Sequence, residues 1–192
     1  IALNNFRIRF WWDPTFGFVN VGENLELCRV QADANNYIAL VLIQGAGGGV
    51  STALIMLARK AGFRVWVTSR DESKGARAVE LGAHAAFASG ARLPEKVDVV
   101  METVGAATWS HSLRSLKPGG RIVIAGATSG SQPPADLSRV FFLQLSVVGS
   151  TMGTRDELQR LVAMCEATGV RPLIDHVLPL AAADEALRHI AA

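Results

Sequence analysis

The chain has 192 residues, 49% of them hydrophobic and 19% charged, so it is long enough to bury the core of one domain. Its 19 basic and 17 acidic residues are scattered without a basic block, which argues against a nucleic-acid partner. No apolar run reaches the roughly 18 residues of a membrane span, and Cys28 and Cys165 lie too far apart in sequence for a Cys-x-x-Cys site, so we expect a cytoplasmic protein without a membrane partner.

Residues 1–38 differ in character from the rest of the chain. Phe6, Ile8 and Phe10 alternate with Arg7 and Arg9, as in a strand with one apolar face. This pattern predicts a short β-rich segment, a β-meander, that precedes the main domain at residues 39–192.

From residue 39 onward, short apolar runs alternate with helical patterns. The predicted strands are residues 39–44, 63–68, 84–88, 97–101, 121–125 and 145–150. The predicted helices are residues 49–61, 71–81, 106–116, a short helix ending at Phe142, 155–168 and 182–190. Lys117-Pro118-Gly119-Gly120 is expected to break the chain between a helix and a strand. Alternation of this kind predicts an α/β fold, a doubly wound parallel Rossmann sheet with helices on both faces.

A glycine-rich turn joins the first predicted strand of this domain to its first helix. Such a turn exposes backbone amides at the positive end of a helix dipole, where a pyrophosphate binds, and glycine lets phosphate oxygens come close. The literal Gly-x-Gly-x-x-Gly spacing fails at its last place, but a strand before and a helix after favour dinucleotide binding over a flexible helix-entry loop. The predicted contacts are Gly47, Gly48, Gly49, Val50 and Ser51.

The end of the second strand predicts which dinucleotide is bound. NAD-binding sheets usually carry an acidic side chain there for the ribose hydroxyls, whereas this chain has Ser69 and Arg70, with Lys74 one turn later. A guanidinium and an ammonium suit a 2′-phosphate, so we favour NADP(H) over NAD. Asp71 is either a displaced ribose ligand or the N-cap of the next helix, and we favour the cap.

Several segments resemble the medium-chain dehydrogenase/reductase superfamily over roughly residues 40 to 190. They are Gly48-Gly49-Val50, Thr68-Ser69-Arg70, Glu102-Thr103-Val104-Gly105, Leu116-Lys117-Pro118-Gly119-Gly120, Gly126-Ala127-Thr128 and the stretch from Pro172 to Leu180. The chain is most similar to NADPH-using relatives of zinc-type alcohol dehydrogenases and quinone oxidoreductases. This resemblance implies the cofactor-binding domain of an oxidoreductase that transfers hydride to or from a carbonyl, an alcohol or an enone.

The resemblance also implies roles for residues at other strand ends. Thr103 and Val104 would flank the adenosine ribose, and Ala125, Gly126 and Ala127 would pass beneath the nicotinamide. Ser150 and Met152 would offer backbone groups to its carboxamide; alternatively, Ala125, Ser150 and Met152 are simply the ends of core strands. In this family the last strand, here from Leu145 to Ser150, often pairs with its twin, which implies a homodimer.

The family's β-rich catalytic domain does not fit into residues 1–38. A truncated chain, an unusual gene product and an uncertain sequence in that region are the alternatives. Zinc is not expected, because Cys28 is the only thiol before the glycine turn and the four histidines (His84, His111, His176 and His189) all fall within Rossmann elements.

Catalytic residues stay unassigned. Glu102 is interpreted as a strand-end residue rather than a general base, and a small-molecule substrate is expected only with a catalytic domain. The main alternative function is a non-catalytic nucleotide-binding or assembly module. A methyltransferase that uses S-adenosylmethionine fits less well because of the basic pair after strand two.

Overall fold

The computed structural model of the chain describes residues 39–174 and 176–191. Residues 1–38, which include Cys28, lie outside this range. The β-meander predicted for them and the domain boundary after residue 38 therefore stay predictions.

Six parallel strands form one sheet in the described part of the chain. They are β1 (Leu40–Ile43), β2 (Arg64–Ser69), β3 (Ala85–Ala88), β4 (Val97–Glu102), β5 (Leu116–Ile124) and β6 (Ser146–Gly149). Their order across the sheet is β3-β2-β1-β4-β5-β6, which is the order of a dinucleotide-binding Rossmann fold. The predicted fold class is therefore confirmed.

The helices lie close to their predicted positions. They are α1 (Gly49–Lys60), α2 (Glu72–Glu80), α3 (Ala106–Ser115), α4 (Leu137–Phe142), α5 (Arg155–Thr168) and α6 (Ala183–Ala191), with a 3-10 turn at Leu180–Ala182 before α6. Within the described residues, none of these helices is long and apolar enough to cross a membrane.

Strand β1 shows why the sheet needs helices on both faces. Its four residues are all apolar and buried, and consecutive side chains point to opposite faces. Val41 packs in the core that contains Ile55 of α1, whereas Leu42 packs in the core that contains Leu113 of α3. Burying each such side chain contributes about 1.5–3 kcal/mol, so both faces of the sheet stabilise the fold.

Strand β5 differs from its prediction, because the Lys117–Gly120 segment lies within the strand instead of before it. Leu116 pairs with Val97, and Arg121 pairs with Val99, so the intervening residues bulge out of the ladder. A bulge accommodates Pro118, which has no amide hydrogen for the ladder. The Lys117 ammonium, 2.9 Å from Asp98 Oδ1, ties the bulge to β4.

The chain reverses direction across the sheet between β1 and β4. From β1 it continues through α1 to β2 on one side, and from β4 it continues through α3 to β5 on the other. A crevice opens at the carboxyl ends of strands where two such halves diverge, and ligands of open α/β sheets bind there. The topology alone therefore predicts a ligand site at the carboxyl end of β1.

Candidate nucleotide-binding cleft

A cleft of about 930 Å³ lies at this place. Its walls are the segments that follow β1, β2, β4 and β5, together with the first turn of α1. A cavity of this size falls within the range of small-molecule and cofactor sites.

The glycine turn leaves the start of α1 without a side-chain cap. Gly48 is the N-cap residue, and its carbonyl accepts the first helical hydrogen bond from Thr52 at 2.9 Å. The amides of Gly49, Val50 and Ser51 have no acceptor among the described residues. They lie at the positive end of the helix dipole, beside the cleft, so an anion there would supply the missing cap.

Backbone contacts hold the first half of the turn against β2. The amide of Gly45 donates to Thr68 Oγ1 at 3.3 Å, and the amide of Ala46 donates to the Thr68 carbonyl at 2.8 Å. Gly45 has φ +77°, and a side chain at that position would come within 2.6 Å of Val104 Cγ2. Glycine is therefore required where the turn meets the segment after β4.

Asp71, after β2, caps α2. Its Oδ1 accepts hydrogen bonds from Ser73 Oγ at 2.6 Å, the Ser73 amide at 2.8 Å and the Lys74 amide at 3.3 Å. The Ser73 hydroxyl, followed by the two amides, lowers the pKa of Asp71 from its ordinary value of 3.8. The prediction that Asp71 is an N-cap is confirmed.

Two cations stand beside this capped aspartate. Arg70 and Lys74 both line the cleft and are exposed, and neither forms an ion pair with another residue in the described part of the chain. The stem of Lys74 lies against Gly47, where an added Cβ would meet Lys74 Cδ at 2.8 Å. This contact places Lys74 beside the glycine turn.

Glu102, at the end of β4, holds the residues that lead into α3 and the hydroxyls of its first turns. It is 1% exposed, and its Oε1 accepts from the amides of Val104 at 2.9 Å and Gly105 at 3.0 Å and from the hydroxyl of Thr108 at 2.8 Å. Oε2 accepts from Ser112 Oγ at 2.5 Å. Both oxygens accept from structural donors and the side chain is buried, which agrees with a strand-end role.

Gln44 is fully buried beneath the floor of the cleft, where it holds a polar network together. Its Oε1 accepts from the hydroxyl of Thr68 at 2.5 Å, and its Nε2 donates to Ser112 Oγ and to His111 Nδ1, both at 2.9 Å. The Ala91 carbonyl, 2.8 Å from His111 Nε2, assigns the imidazole proton to that nitrogen and leaves Nδ1 as the acceptor. Gln44 thus links the ends of β1 and β2 to α3.

The structure brings most of the predicted cofactor contacts together at the cleft. Those that line it are Gly48, Gly49, Val50, Ser51, Ser69, Arg70, Lys74, Thr103, Val104, Ala125 and Gly126. Gly47 instead faces a smaller pocket on the far side of the turn, and Ala127 lies between two lining residues. Ser150 and Met152 are not among the lining residues; the Ser150 amide donates to the Ile124 carbonyl at 2.8 Å, and Met152 is 85% exposed. Their roles toward a ligand stay predictions.

The residues that support the cleft from below belong to no motif in the sequence. Gln44 falls in a predicted buried strand, and its amide among apolar neighbours is the available signal, because a buried amide requires partners. Thr108 and Ser112 carried no comparable signal, since hydroxyls one turn apart on a helix are common.

The described residues do not fit a zinc site, since they contain no group of three or more His, Cys, Asp or Glu side chains that could hold a metal ion. We derive no chemistry through a metal. The amides at the start of α1 and the cations Arg70 and Lys74 do fit an anionic nucleotide.

Comparisons with known proteins agree with this architecture. A sequence profile of the family described as "Zinc-binding dehydrogenase" matches residues 49–167, more than half of the chain. An acryloyl-coenzyme A reductase from Sulfurisphaera tokodaii is 30% identical over 158 residues, 79% of this chain and 47% of that protein. A quinone oxidoreductase from Sus scrofa is 29% identical over 161 residues, 77% of this chain and 49% of that protein.

Among solved structures, an NAD-dependent alcohol dehydrogenase superposes with a TM-score of 0.71 and 29% identity, covering 97% of this chain and 53% of that one. The chain thus spans about half the length of the curated relatives that it matches. The resemblance to medium-chain dehydrogenases and reductases is confirmed, and the chain belongs to their zinc-binding dehydrogenase family.

Proposed function

We propose that this chain binds NADP(H) and forms the cofactor-binding part of an oxidoreductase. The observation that carries the proposal is the start of α1, where the unpaired amides of Gly49, Val50 and Ser51 lie at the wall of a cleft that also holds Arg70 and Lys74. Amides at a helix N-terminus bind a pyrophosphate, and cations at the end of β2 bind a 2′-phosphate.

The arrangement after β2 supports NADP(H) over NAD. A ribose diol is usually held by a free carboxylate at this strand end. Here the acidic residue that lines the cleft, Asp71, serves as the cap of α2, where its Oδ1 accepts three hydrogen bonds. Arg70 presents a planar fork of donors that matches a phosphate, and Lys74 adds a second positive charge.

The reaction of the complete protein follows from the same site. A bound nicotinamide supplies the hydride that is exchanged with a carbonyl, an alcohol or a conjugated enone. In this proposal Ala125 and Gly126 support the nicotinamide end from below, and Thr103 and Val104 flank the adenosine ribose. Their place on the cleft wall supports these roles. A small-molecule substrate would be bound with residues that the described cleft does not supply.

Calorimetric titration tests the cofactor. We expect NADPH to bind more tightly than NADH, and S-adenosylmethionine not to bind. Arg70→Ala should weaken NADPH binding about tenfold or more and change NADH binding little, because a charge-assisted contact to the 2′-phosphate is lost. Arg114→Ala removes an exposed arginine that does not line the cleft and is the matched control. Equal or tighter NADH binding by the unaltered chain would contradict the proposal.

We further propose that a second copy of the chain pairs along β6. This strand ends the sheet beside β5, and Val147 is 44% exposed. The Ser150 amide bonds to Ile124 of β5, so by alternation the Val147 amide faces the outer edge. Val147→Pro removes that donor, and proline is tolerated on edge strands. Sedimentation should show a dimer that the variant weakens, with NADPH affinity kept; a monomeric parent chain would refute the pairing.

A non-catalytic nucleotide-binding or assembly module makes the same prediction for cofactor affinity. Hydride transfer to quinones, aldehydes or enones by the complete protein distinguishes the two, since only an oxidoreductase oxidises NADPH with such acceptors. The cytoplasmic location remains part of the prediction, and fractionation of the producing cells tests it.

A further inference from the structure

Ser51 follows the run Gly48-Gly49-Val50 and forms two hydrogen bonds with one residue, Gly48. Its hydroxyl donates to the Gly48 carbonyl at 3.0 Å, and the Gly48 amide donates to Ser51 Oγ at 3.2 Å. We call these two hydrogen bonds the Ser51–Gly48 bridge. A glycine at position 51 could form neither bond, because it has no hydroxyl.

The Ser51–Gly48 bridge lies in a part of the glycine turn whose backbone amides make few other hydrogen bonds within the described residues. Gly45, Gly47, Gly48 and Gly49 make the turn permissive, and ordering glycines costs more conformational entropy than ordering other residues. The amides of Gly45 and Ala46 bond to Thr68. From Gly47 to the start of α1, the Gly48 amide is the only one with an acceptor among the described residues, and that acceptor is Ser51.

We propose that Ser51 is a positioning residue for the dinucleotide pyrophosphate. The Ser51–Gly48 bridge holds the N-cap residue in place, so that the amides of Gly49 and Val50 already face the cleft before a ligand enters. Apparent affinity falls in proportion to the fraction of molecules in the competent conformation, so losing the bridge weakens binding without removing a ligand contact. This inference rests on the proposed dinucleotide site.

Burial favours positioning over direct contact. Ser51 is 1% exposed, its hydroxyl hydrogen is used at the Gly48 carbonyl, and its oxygen accepts the Gly48 amide. A ligand oxygen would have to displace the Gly48 carbonyl to bind the hydroxyl. The bridge instead ties both backbone groups of Gly48 to the first turn of α1.

The test compares Ser51→Ala with Ser115→Ala. Ser115 is also a buried serine, and its hydroxyl donates to the His111 carbonyl at 2.8 Å, away from the cleft wall. We expect Ser51→Ala to weaken NADPH binding about fivefold, because losing the two bonds lowers the competent fraction. Binding of adenosine 2′-monophosphate, which carries the 2′-phosphate without a pyrophosphate, should not change. Ser115→Ala should change neither affinity.

Amide hydrogen exchange provides a second measurement. The Gly48 amide should exchange faster in unliganded Ser51→Ala than in the parent chain. Unchanged NADPH affinity in the variant, or equal losses for NADPH and adenosine 2′-monophosphate, would overturn the positioning role. If the parent chain binds neither NADPH nor NADH, the proposed function fails instead, so the two failures are distinguishable.

Discussion

The starts of α1 and α2 lie side by side at the cleft, but they satisfy their backbone amides in opposite ways. Helix α2 has its own carboxylate, Asp71, which accepts from two amides and a hydroxyl. Helix α1 has Gly48 at the same position, without a side chain, and its first amides face the cleft. A capped helix start is complete by itself, whereas an uncapped one beside a cleft is completed by an anion.

Helix α3 adds a third solution: its first amides, those of Ala106 and Ala107, donate to the Gly130 carbonyl and to Ser129 Oγ, while Glu102 accepts the two amides just before the helix. Of these helix starts around the cleft, only that of α1 is left for a ligand. The difference locates the pyrophosphate site more sharply than the glycine spacing does.

Giving α1 the cap of α2 should have the largest effect. In Gly48→Asp the carboxylate would occupy the free amides and repel a pyrophosphate, so we expect NADPH affinity to fall about 100-fold or more. The helix itself should gain a few tenths of a kcal/mol, because Gly48 has φ −83°, which any residue can adopt. Calorimetry should thus show a lower NADPH affinity, whereas thermal unfolding should show a slightly higher midpoint. Gly48→Ala, which adds only a methyl group, is the control; retained binding in Gly48→Asp would refute the assignment.

Opening the start of α3 should destabilise the fold. Glu102→Gln puts an amide NH₂ among groups that all donate, which leaves buried donors unpaired and costs about 2–3 kcal/mol. Denaturant unfolding measures this loss, and Glu166→Gln, at an exposed glutamate of α5 that forms no ion pair within the described residues, controls for removal of charge. A loss near zero would mean that Glu102 does not hold α3.

Removing the cap of α2 should have a smaller effect, confined to stability. Asp71→Ala should lower the midpoint of thermal unfolding by a few degrees, since the Ser73 and Lys74 amides lose their acceptor. NADPH affinity should stay the same or rise slightly, because a negative charge beside the 2′-phosphate disappears. A loss of NADPH binding with this variant would indicate that Asp71 is a ligand after all.

The pH dependence of this cap is the smallest expected effect. The pKa of Asp71 is lowered in the folded state, so its carboxylate stabilises the fold above the pKa of the unfolded chain. That contribution is lost as pH falls through the lowered folded-state value. Asp71→Asn also caps a helix but does not titrate. Any gap in thermal midpoint in favour of the parent chain should therefore shrink as the pH falls below the ordinary pKa of 3.8; a widening gap would contradict the assignment.

Local patterns predicted most of the fold. Helix α5 has its predicted bounds, and Asp71 caps α2, because Thr154 and Asp71 carry their capping chemistry within three residues of the helix start. The β5 bulge escaped prediction because it depends on the pairing of Leu116 with Val97, a contact distant in sequence. Pro118 and the two glycines after it locally predict that the strand is interrupted there. They belong to β5 only because β4 pairs with the chain on both sides of them.

The candidate site likewise contains features that local sequence predicts and features that depend on contacts between distant segments. Backbone donors at Gly49 and cations at Arg70 follow from turn chemistry and charge, so the sequence could predict them. The partners of Gln44 could not be predicted, because Thr68, Ser112 and His111 lie on three segments that meet only in the folded chain. A buried amide in the sequence predicts that hydrogen-bond partners exist, but it does not identify them.

The Gln44 network has a consequence for the entropy of binding. Its groups are paired in the unliganded chain, from the Ala91 carbonyl through His111 and Gln44 to Thr68. We therefore expect a dinucleotide to meet a rigid cleft floor, and the freedom lost on binding to be confined to the rim: the glycine turn and the side chains of Arg70 and Lys74. Side-chain and backbone order parameters should rise there on binding and stay constant at the floor.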